Sequence, residues 1–309
     1  MSRFIEIFRI VVRGFRDFGF RFTLDELQNQ SHLWTWSNTQ GLESEVGKTS
    51  LSDGSEYVMV CKDAVFHSGT FSKYKSATQY RIILEHTSYS LGLSYLAISR
   101  HNHQVMQTLK AITQKESGQP FVYTYPEIGK ASPTQIRYAK VSLDLIHAFG
   151  TLNGLKVCEI GVGFGGQALH LLTSFPDCSY QIYDLFWPAK LAIKNIVSFD
   201  EKMQHRVQIA TMTEKSKCDL LISNYAFSEL NRAVQEEYLH NVIRDSSRGY
   251  VIFNHIQDPG SDSLTAVEFA DRIPGAELFQ EVPNTHPENV LVMWGHRTNL
   301  LESEHFVRI

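Results

Sequence analysis

Apolar and polar positions along this chain change rhythm near residue 150. Before it, apolar residues recur at helical spacing; after it, short apolar runs alternate with helical stretches, as in a parallel sheet with crossover helices. In the first segment, SRFIEIFRIVVRGFRDFGF, one helix face carries Phe4, Phe8, Val11, Val12, Phe15 and Phe18, and another carries Arg9, Arg13 and Arg16 with Glu6. Such an aromatic stripe is expected to pack on its own domain or on a second copy of the chain; peripheral membrane contact through residues 3–20 is the alternative. Thr23 and Glu26 fit a capping box, residues 31–56 read as turn-rich, and Asp53-Gly54 suits a tight turn. Residues 76–115 read as helical, with His101 and His103 too close in sequence to share a helix face and so read as solvated. SPTQIRYAKVSLDLIHAFG is a punctuated helix. Ser132 is its N-cap, Pro133 its first turn, Gln135 the capping-box partner and Gly150 the left-handed residue past its end.

Past that helix, Val157 to Ile160 is a short buried strand, and GQALHLLTSF a helix. SYQIYD is the next strand, followed by apolar runs at RVQIA, DLLIS, GYVIF, ELFQEV and NVLVMWG, which makes seven strands in all. PNTHPE joins the last two as a hairpin-like connection. The expected architecture is an α/β, Rossmann-like layer with a mostly parallel seven-stranded sheet and a terminal antiparallel hairpin. Residues 1–130 form a mainly helical region, an acceptor-binding cap or an oligomerisation element, and residues 131–309 the cofactor-binding domain.

Between the first strand and its helix lies VCEIGVGFGGQ. Gly161, Gly163 and Gly165 let the backbone turn tightly and approach a ligand closely. The spacing satisfies both the dinucleotide pattern and an acidic pattern that begins at Glu159. Asp184, at the end of the second strand, is placed to accept hydrogen bonds from ribose hydroxyls, which both nicotinamide dinucleotides and S-adenosylmethionine carry. Glu159 favours the second cofactor, because a carboxylate repels a pyrophosphate but attracts a sulfonium and an ammonium. Gln167 either caps the following helix or touches the cofactor. SNYAFSEL, at the end of the fourth strand, brings Asn224, Tyr225, Ser228 and Glu229 to the crevice where open α/β sheets bind ligands.

VCEIGVGFGGQ, QIYDL, LISNYAFSELNRAVQEEYL and the upstream YTYPEIGKASPTQIRYAKV resemble the sugar O-methyltransferases of bacterial surface-polysaccharide gene clusters, over roughly residues 120–296. The resemblance implies a class I S-adenosylmethionine-dependent fold and a sugar hydroxyl as methyl acceptor, on a nucleotide sugar or a glycan. The expected cofactor site is Glu159, Gly161, Gly163, Gly165, Gln167, Asp184 and Asn224, and Arg137, Tyr138 and Tyr225 are candidate acceptor contacts. For a general base, His255, after the fifth strand, comes first because imidazole titrates near neutrality, and Glu229 second, with Asn224 orienting the reactants. His255, Asp258 and Asp262 make only a weak magnesium cluster, and no metal is expected. Two readings remain beside this one. A nicotinamide-dependent sugar oxidoreductase or epimerase calls for a Tyr-x-x-x-Lys pair, which Tyr74, Tyr80 and the Tyr125–Lys130 spacing do not supply. A non-catalytic scaffold is disfavoured by the intact glycine loop.

Composition adds limits. The 309 residues carry a formal net charge of −4, without the overall positive field of a nucleic-acid binder. The four cysteines, Cys61, Cys158, Cys178 and Cys218, form no C-x-x-C pair and are expected as reduced, buried thiols. With no bilayer-length apolar run and no signal-peptide pattern, a cytoplasmic, at most membrane-peripheral, location is expected.

Overall fold

The computed structural model of the protein describes residues 56–212, 217–254, 262–297 and 306–309. The amphipathic segment 3–20, the Thr23–Glu26 pair and the Asp53-Gly54 turn lie outside the described residues. The helical region comprises α1 (Glu56–Phe66), α2 (Ser68–Phe71), α3 (Thr78–Leu84), α4 (Tyr89–Ser99) and α5 (His103–Gln114). The continuous helical rhythm expected over 76–115 is cut twice by side chains that cap. Ser88 Oγ accepts from Leu91 N at 3.2 Å to start α4, and Asn102 Oδ1 from Val105 N at 3.0 Å to start α5. His101 and His103 flank the second cap and are exposed. A short antiparallel hairpin, β1 (Tyr123–Tyr125) with β2 (Gly129–Ala131), leads into α6 (Pro133–Phe149). There Ser132 Oγ accepts from Gln135 N at 3.2 Å, and Gly150 has φ +81°. The Gln135 side chain does not return to the cap. Its Nε2 donates to Glu116 Oε1 at 3.1 Å, and its Oε1 lies 3.0 Å from His170 Nε2.

Beyond α6 come β3 (Lys156–Ile160), α7 (Gly166–Ser174), β4 (Ser179–Tyr183), α8 (Phe186–Phe199), β5 (Val207–Ile209), β6 (Leu220–Asn224), α9 (Arg232–Tyr238), β7 (Gly249–Phe253), α10 (Ala266–Ala270), β8 (Glu277–Gln280) and β9 (Val290–Trp294). The sheet order is β5-β4-β3-β6-β7-β9-β8, with β9 antiparallel to both its neighbours and the other pairings parallel. This is the class I methyltransferase layout expected from the strand count. A doubly wound dinucleotide fold has a sixth strand running parallel in that position.

The period-2 alternation of the strands sorts their side chains into two cores. Val157, Ile182, Leu220, Ile222 and Ile252 face α6, α7 and α8, while Cys158, Ile160, Leu221, Val251 and Val292 face the layer that contains Phe227, Leu239 and Phe269. All four cysteines are buried and free. The edge strand β8 is covered by the C-terminal residues. Gln280 N donates to Val307 O at 2.7 Å and Ile309 N to Leu278 O at 3.0 Å, so the edge does not present an open row of donors and acceptors.

Two further cores cross residue 131. Tyr95, Leu96, Leu109 and Tyr125 pack with Ile136, Ala139 and Leu143 of α6. Tyr57, Cys61, Tyr74 and Tyr80 pack with Tyr138, Leu191 and Phe164, the last within the glycine loop itself. Among the described residues, no helix is long and apolar enough to cross a membrane.

Gly249 tests how closely β7 and β9 pack, since a Cβ there would lie 2.0 Å from Trp294 Cη2. Gly249→Ala is expected to cost about 1–3 kcal/mol, read as a lowered thermal midpoint. Gly69→Ala, where nothing lies within 4 Å, is expected to leave the midpoint unchanged or slightly raised.

Candidate functional site

The sheet order reverses between β3 and β6, and the carboxyl ends of these two strands open a crevice at that point. The turn after β3 has positive φ at Gly161 (+79°), Gly163 (+56°) and Gly165 (+79°). At Gly161 a side chain is excluded on packing grounds as well, because its Cβ would lie 2.0 Å from Ala226 Cβ. Asp184, just past β4, braces the turn. Its Oδ2 accepts from Gly163 N at 3.0 Å and its Oδ1 from Leu185 N at 2.7 Å. Burial pushes the Asp184 carboxyl up to about 6, against the lowering effect of these amide donors.

The crevice widens into a cavity of about 1170 Å³. Gly161, Gly163, Asp184, Asn224, Tyr225 and Glu229 line it, together with Arg137 from α6. Its wall beside Asp184 is apolar, with Tyr183, Ile209 and Ala210. The opposite wall comes from the helical region, including Ile82, Ile83, His86, Leu91 and Tyr95. The volume exceeds that of a typical single-ligand pocket and suits a cofactor together with a second reactant.

Arg137 is the only arginine or lysine among the described lining residues. Its guanidinium lies 5.3 Å from the Tyr138 ring centre and 5.6 Å from that of Tyr225, and its buried Nε has no hydrogen-bond partner. His86 lines the same wall. Burial, reinforced by the Arg137 charge, lowers its imidazole to about 4, so it is neutral near pH 7.

Glu229 accepts from Asn254 Nδ2 at 2.6 Å, and burial raises its carboxyl to about 7. Asn254 follows β7 and is tied back to the SNYAFSEL turn: Ser228 Oγ donates to Asn254 Oδ1 at 2.9 Å and approaches Tyr225 O at 2.6 Å. A carboxyl that titrates near neutrality in a cavity wall has the properties of a general base.

Four expected contacts lie elsewhere. Glu159 does not line the cavity. It sits on the α6/α7 face of the sheet, 1% exposed, where Tyr180 OH donates to its Oε2 at 2.8 Å and Asn224 Nδ2 to its Oε1 at 3.4 Å. Burial raises its carboxyl to about 8. It is therefore protonated at neutral pH, and the charge argument against a pyrophosphate loses its force; the reversed β9 carries that distinction instead. Gln167 is fully buried and donates back to Ser142 Oγ at 2.9 Å. Gly165 serves as the N-cap of α7 against Ala192 and Ile196. Tyr138 is 4% exposed and lies against Phe164 and Gly166 under the turn.

His255 and Asp258 lie outside the described residues. Asp262 is described, and its carbonyl accepts from Arg232 Nε at 2.6 Å. Sequence reasoning missed His86, Tyr95 and Asn254. His86 lies in the loop between α3 and α4 and Tyr95 in α4, and the placement of both against the turn depends on the tertiary packing, while Asn254 was within reach, as the residue that immediately follows the β7 run.

No family model and no curated protein matches this chain. Solved structures similar to it include three methyltransferases of low identity. One is an O-methyltransferase family protein from Burkholderia thailandensis (14% identity, 52% of this chain and 57% of that one, TM-score 0.38). Another is a SAM-dependent methyltransferase from Aquifex aeolicus (13% identity, 52% and 88%, TM-score 0.37). The third is the magnesium protoporphyrin IX methyltransferase of Synechocystis PCC 6803 (14% identity, 53% and 83%, TM-score 0.41). The match thus spans little more than half of the Burkholderia protein.

Because Glu159 is held neutral by burial, the unfolded chain sheds its proton at lower pH than the folded one. The folded state then binds more protons between about 4.5 and about 8, and stability falls as pH rises across that window. Glu159→Gln is expected to raise the thermal midpoint relative to the parent at pH 8.5 by about 2–4 °C, the shift of roughly 1 kcal/mol, and by less at pH 5. Paired melting curves at the two pH values check this.

Proposed function

We propose that the protein is an S-adenosylmethionine-dependent O-methyltransferase acting on a sugar hydroxyl, in the biosynthesis of a surface polysaccharide. The observation that carries the first part is the reversed β9 in a sheet whose switch point holds the glycine turn and Asp184. The sugar acceptor and the polysaccharide context rest on the likeness of residues 120–296 to the sugar O-methyltransferases. The polar side chains of Asn254, Thr285 and Asn289 in the cavity wall are compatible with a hydroxyl-rich acceptor.

The residues present fit the cofactor. The Asp184 carboxylate accepts backbone amides from Gly163, Leu185 and Val162, and its roughly four lone-pair sites leave room for a ribose hydroxyl. Tyr183, Ile209 and Ala210 offer an apolar wall for a planar base. Arg137, with its unpartnered Nε, is suited to the carboxylate, the one anionic group of S-adenosylmethionine. That assignment moves Arg137 from the acceptor to the cofactor. When bound, S-adenosylmethionine supplies an electrophilic methyl group on a sulfonium.

The chain has two tasks. It must orient the acceptor hydroxyl, and it must take the proton that the hydroxyl loses. Glu229 takes the proton, with Asn254 holding its Oε1 in place. The Tyr225–Ser228–Asn254 bonds keep this group fixed relative to the turn.

Calorimetric titration with S-adenosylmethionine, and separately with NAD and NADP, tests the cofactor. Binding of the first alone is expected, weakened about tenfold or more in Asp184→Ala, equivalent to roughly 1.4 kcal/mol. Dinucleotide binding instead would overturn the reading. Transfer of labelled methyl from S-adenosylmethionine to a panel of nucleotide sugars and methyl glycosides tests the acceptor class. In that assay kcat/KM is expected to fall as pH drops through about 7, the region where the Glu229 carboxyl protonates. Glu229→Gln is expected to reduce kcat about 100-fold or more and to flatten the profile.

A further inference from the structure

Tyr225 is one of two non-glycine residues with positive φ among those described, at φ +73° and ψ −32°. Such a conformation is strained for a tyrosine and persists only where its surroundings over-determine it. The backbone on either side is pinned. Tyr225 N donates to Ile252 O at 3.0 Å, and Tyr225 O accepts from Ser228 N at 3.2 Å. The ring lies beneath the Arg137 guanidinium and lines the cavity. Its hydroxyl donates to Glu281 Oε1.

Glu281 is 5% exposed and stands where β8 gives way to the connection that leads to β9. Its other oxygen, Oε2, accepts three bonds from that connection: Thr285 N at 3.1 Å, Thr285 Oγ1, and Asn289 Nδ2 at 2.9 Å. Asn289 Nδ2 also donates to Thr285 Oγ1 at 2.8 Å. One carboxylate therefore holds the strained tyrosine on one oxygen and the β8–β9 connection on the other. Thr285, His286 and Asn289 all line the cavity on that side. They offer a hydroxyl, an imidazole and an amide, groups that both donate to and accept from a polyol.

We propose that Glu281 is a positioning residue for the acceptor. It holds Tyr225 in its strained conformation and locks it to residues 282–289, so that Tyr225, Thr285, His286 and Asn289 form one wall selective for a polyhydroxylated ligand. The proposal rests on the methyltransferase reading for the identity of the reaction, but the coupling of the two segments does not.

The test compares Glu281→Ala, Glu281→Gln and Tyr225→Phe with the parent by amide hydrogen exchange, and by calorimetry with S-adenosylhomocysteine. In Glu281→Ala, exchange is expected to accelerate about tenfold or more in both 223–228 and 282–289. Affinity for S-adenosylhomocysteine is expected to stay within about twofold of the parent. Glu281→Gln is expected to restore the protection, because its amide oxygen can accept from Thr285 and Asn289 while its amide nitrogen donates to the tyrosine oxygen. Tyr225→Phe, which deletes only the hydroxyl, keeps the test alive should the alanine variant misfold; it is expected to loosen 223–228. With any panel sugar that is turned over, Glu281→Ala is expected to raise the acceptor KM about tenfold with a smaller change in kcat.

Faster exchange in 282–289 alone would overturn the proposal, since Glu281 would then serve only its own loop. A tenfold loss of S-adenosylhomocysteine affinity in both Glu281 variants would also overturn it, by assigning the network to the cofactor. If the parent binds no S-adenosylhomocysteine, the methyltransferase reading fails, while the exchange data still decide the coupling.

Discussion

The glycine turn is held from below by a buried charge. Lys75 Nζ sits 3.6 Å from the centre of the Phe164 ring and donates to Glu116 Oε1 at 2.7 Å, with Glu85 at 3.7 Å on another side. Burial opposes the charge on Lys75, and Glu116, Tyr74 and Glu85 together more than offset that effect, so the ammonium stays charged in a buried environment. Glu116 also accepts from Ser132 Oγ and Gln135 Nε2, and Gln135 in turn meets His170 of α7. This one cluster fixes the helical region, the start of α6 and the helix after the glycine turn relative to one another. The turn can then keep three glycines at positive φ, anchored by its own Phe164 above this cluster and by Val162 in the sheet core.

The cavity's carboxylates are poised by the same exclusion of water. Asp184 and Glu229 line it, Glu159 lies beneath it, and burial raises all three towards neutrality. Each keeps fixed donors: backbone amides for Asp184, Asn254 for Glu229, Tyr180 for Glu159. Groups arranged this way respond strongly to a neighbouring charge, because a buried site screens it less than bulk water does. A cationic ligand entering the cavity would shift all three towards ionisation, and the fixed donors would stabilise the anions that form.

Much of the sheet is legible in the sequence because its strands are short, apolar and separated by strong turn signals. Gly161, Asp184, Asn224 and Glu229 could be placed from topology alone, since the end of a parallel strand is where its following loop must open. The sidedness of β3 was harder to read. Glu159 is polar and two residues from a ligand loop, yet its strand position turns it into the α6/α7 layer, where Tyr180 meets it. Gln167 shows the same limit on a helix: the position looked capping, and the side chain went inward to Ser142. The role of Glu281 was not visible because its partners come from a strand end far away in sequence and from a loop whose shape depends on it. Helical periodicity revealed that residues 76–115 were helical but not that Ser88 and Asn102 would divide them, since either residue is tolerated on a helix surface.

The change of rhythm near residue 150, with a boundary expected at 130/131, suggests two modules, yet Phe164, Tyr138 and Leu191 share one core with Tyr57, Tyr74 and Tyr80. The seam therefore separates two patterns of sequence and not two bodies that could be inherited independently. A recombination that exchanged the helical half for one from a distant relative would strip the glycine turn of the aromatic seat beneath it. Changes to the cavity wall are consequently easier to accommodate in the β8–β9 connection, which does not touch that seat, than through replacement of the helices that form the opposite side.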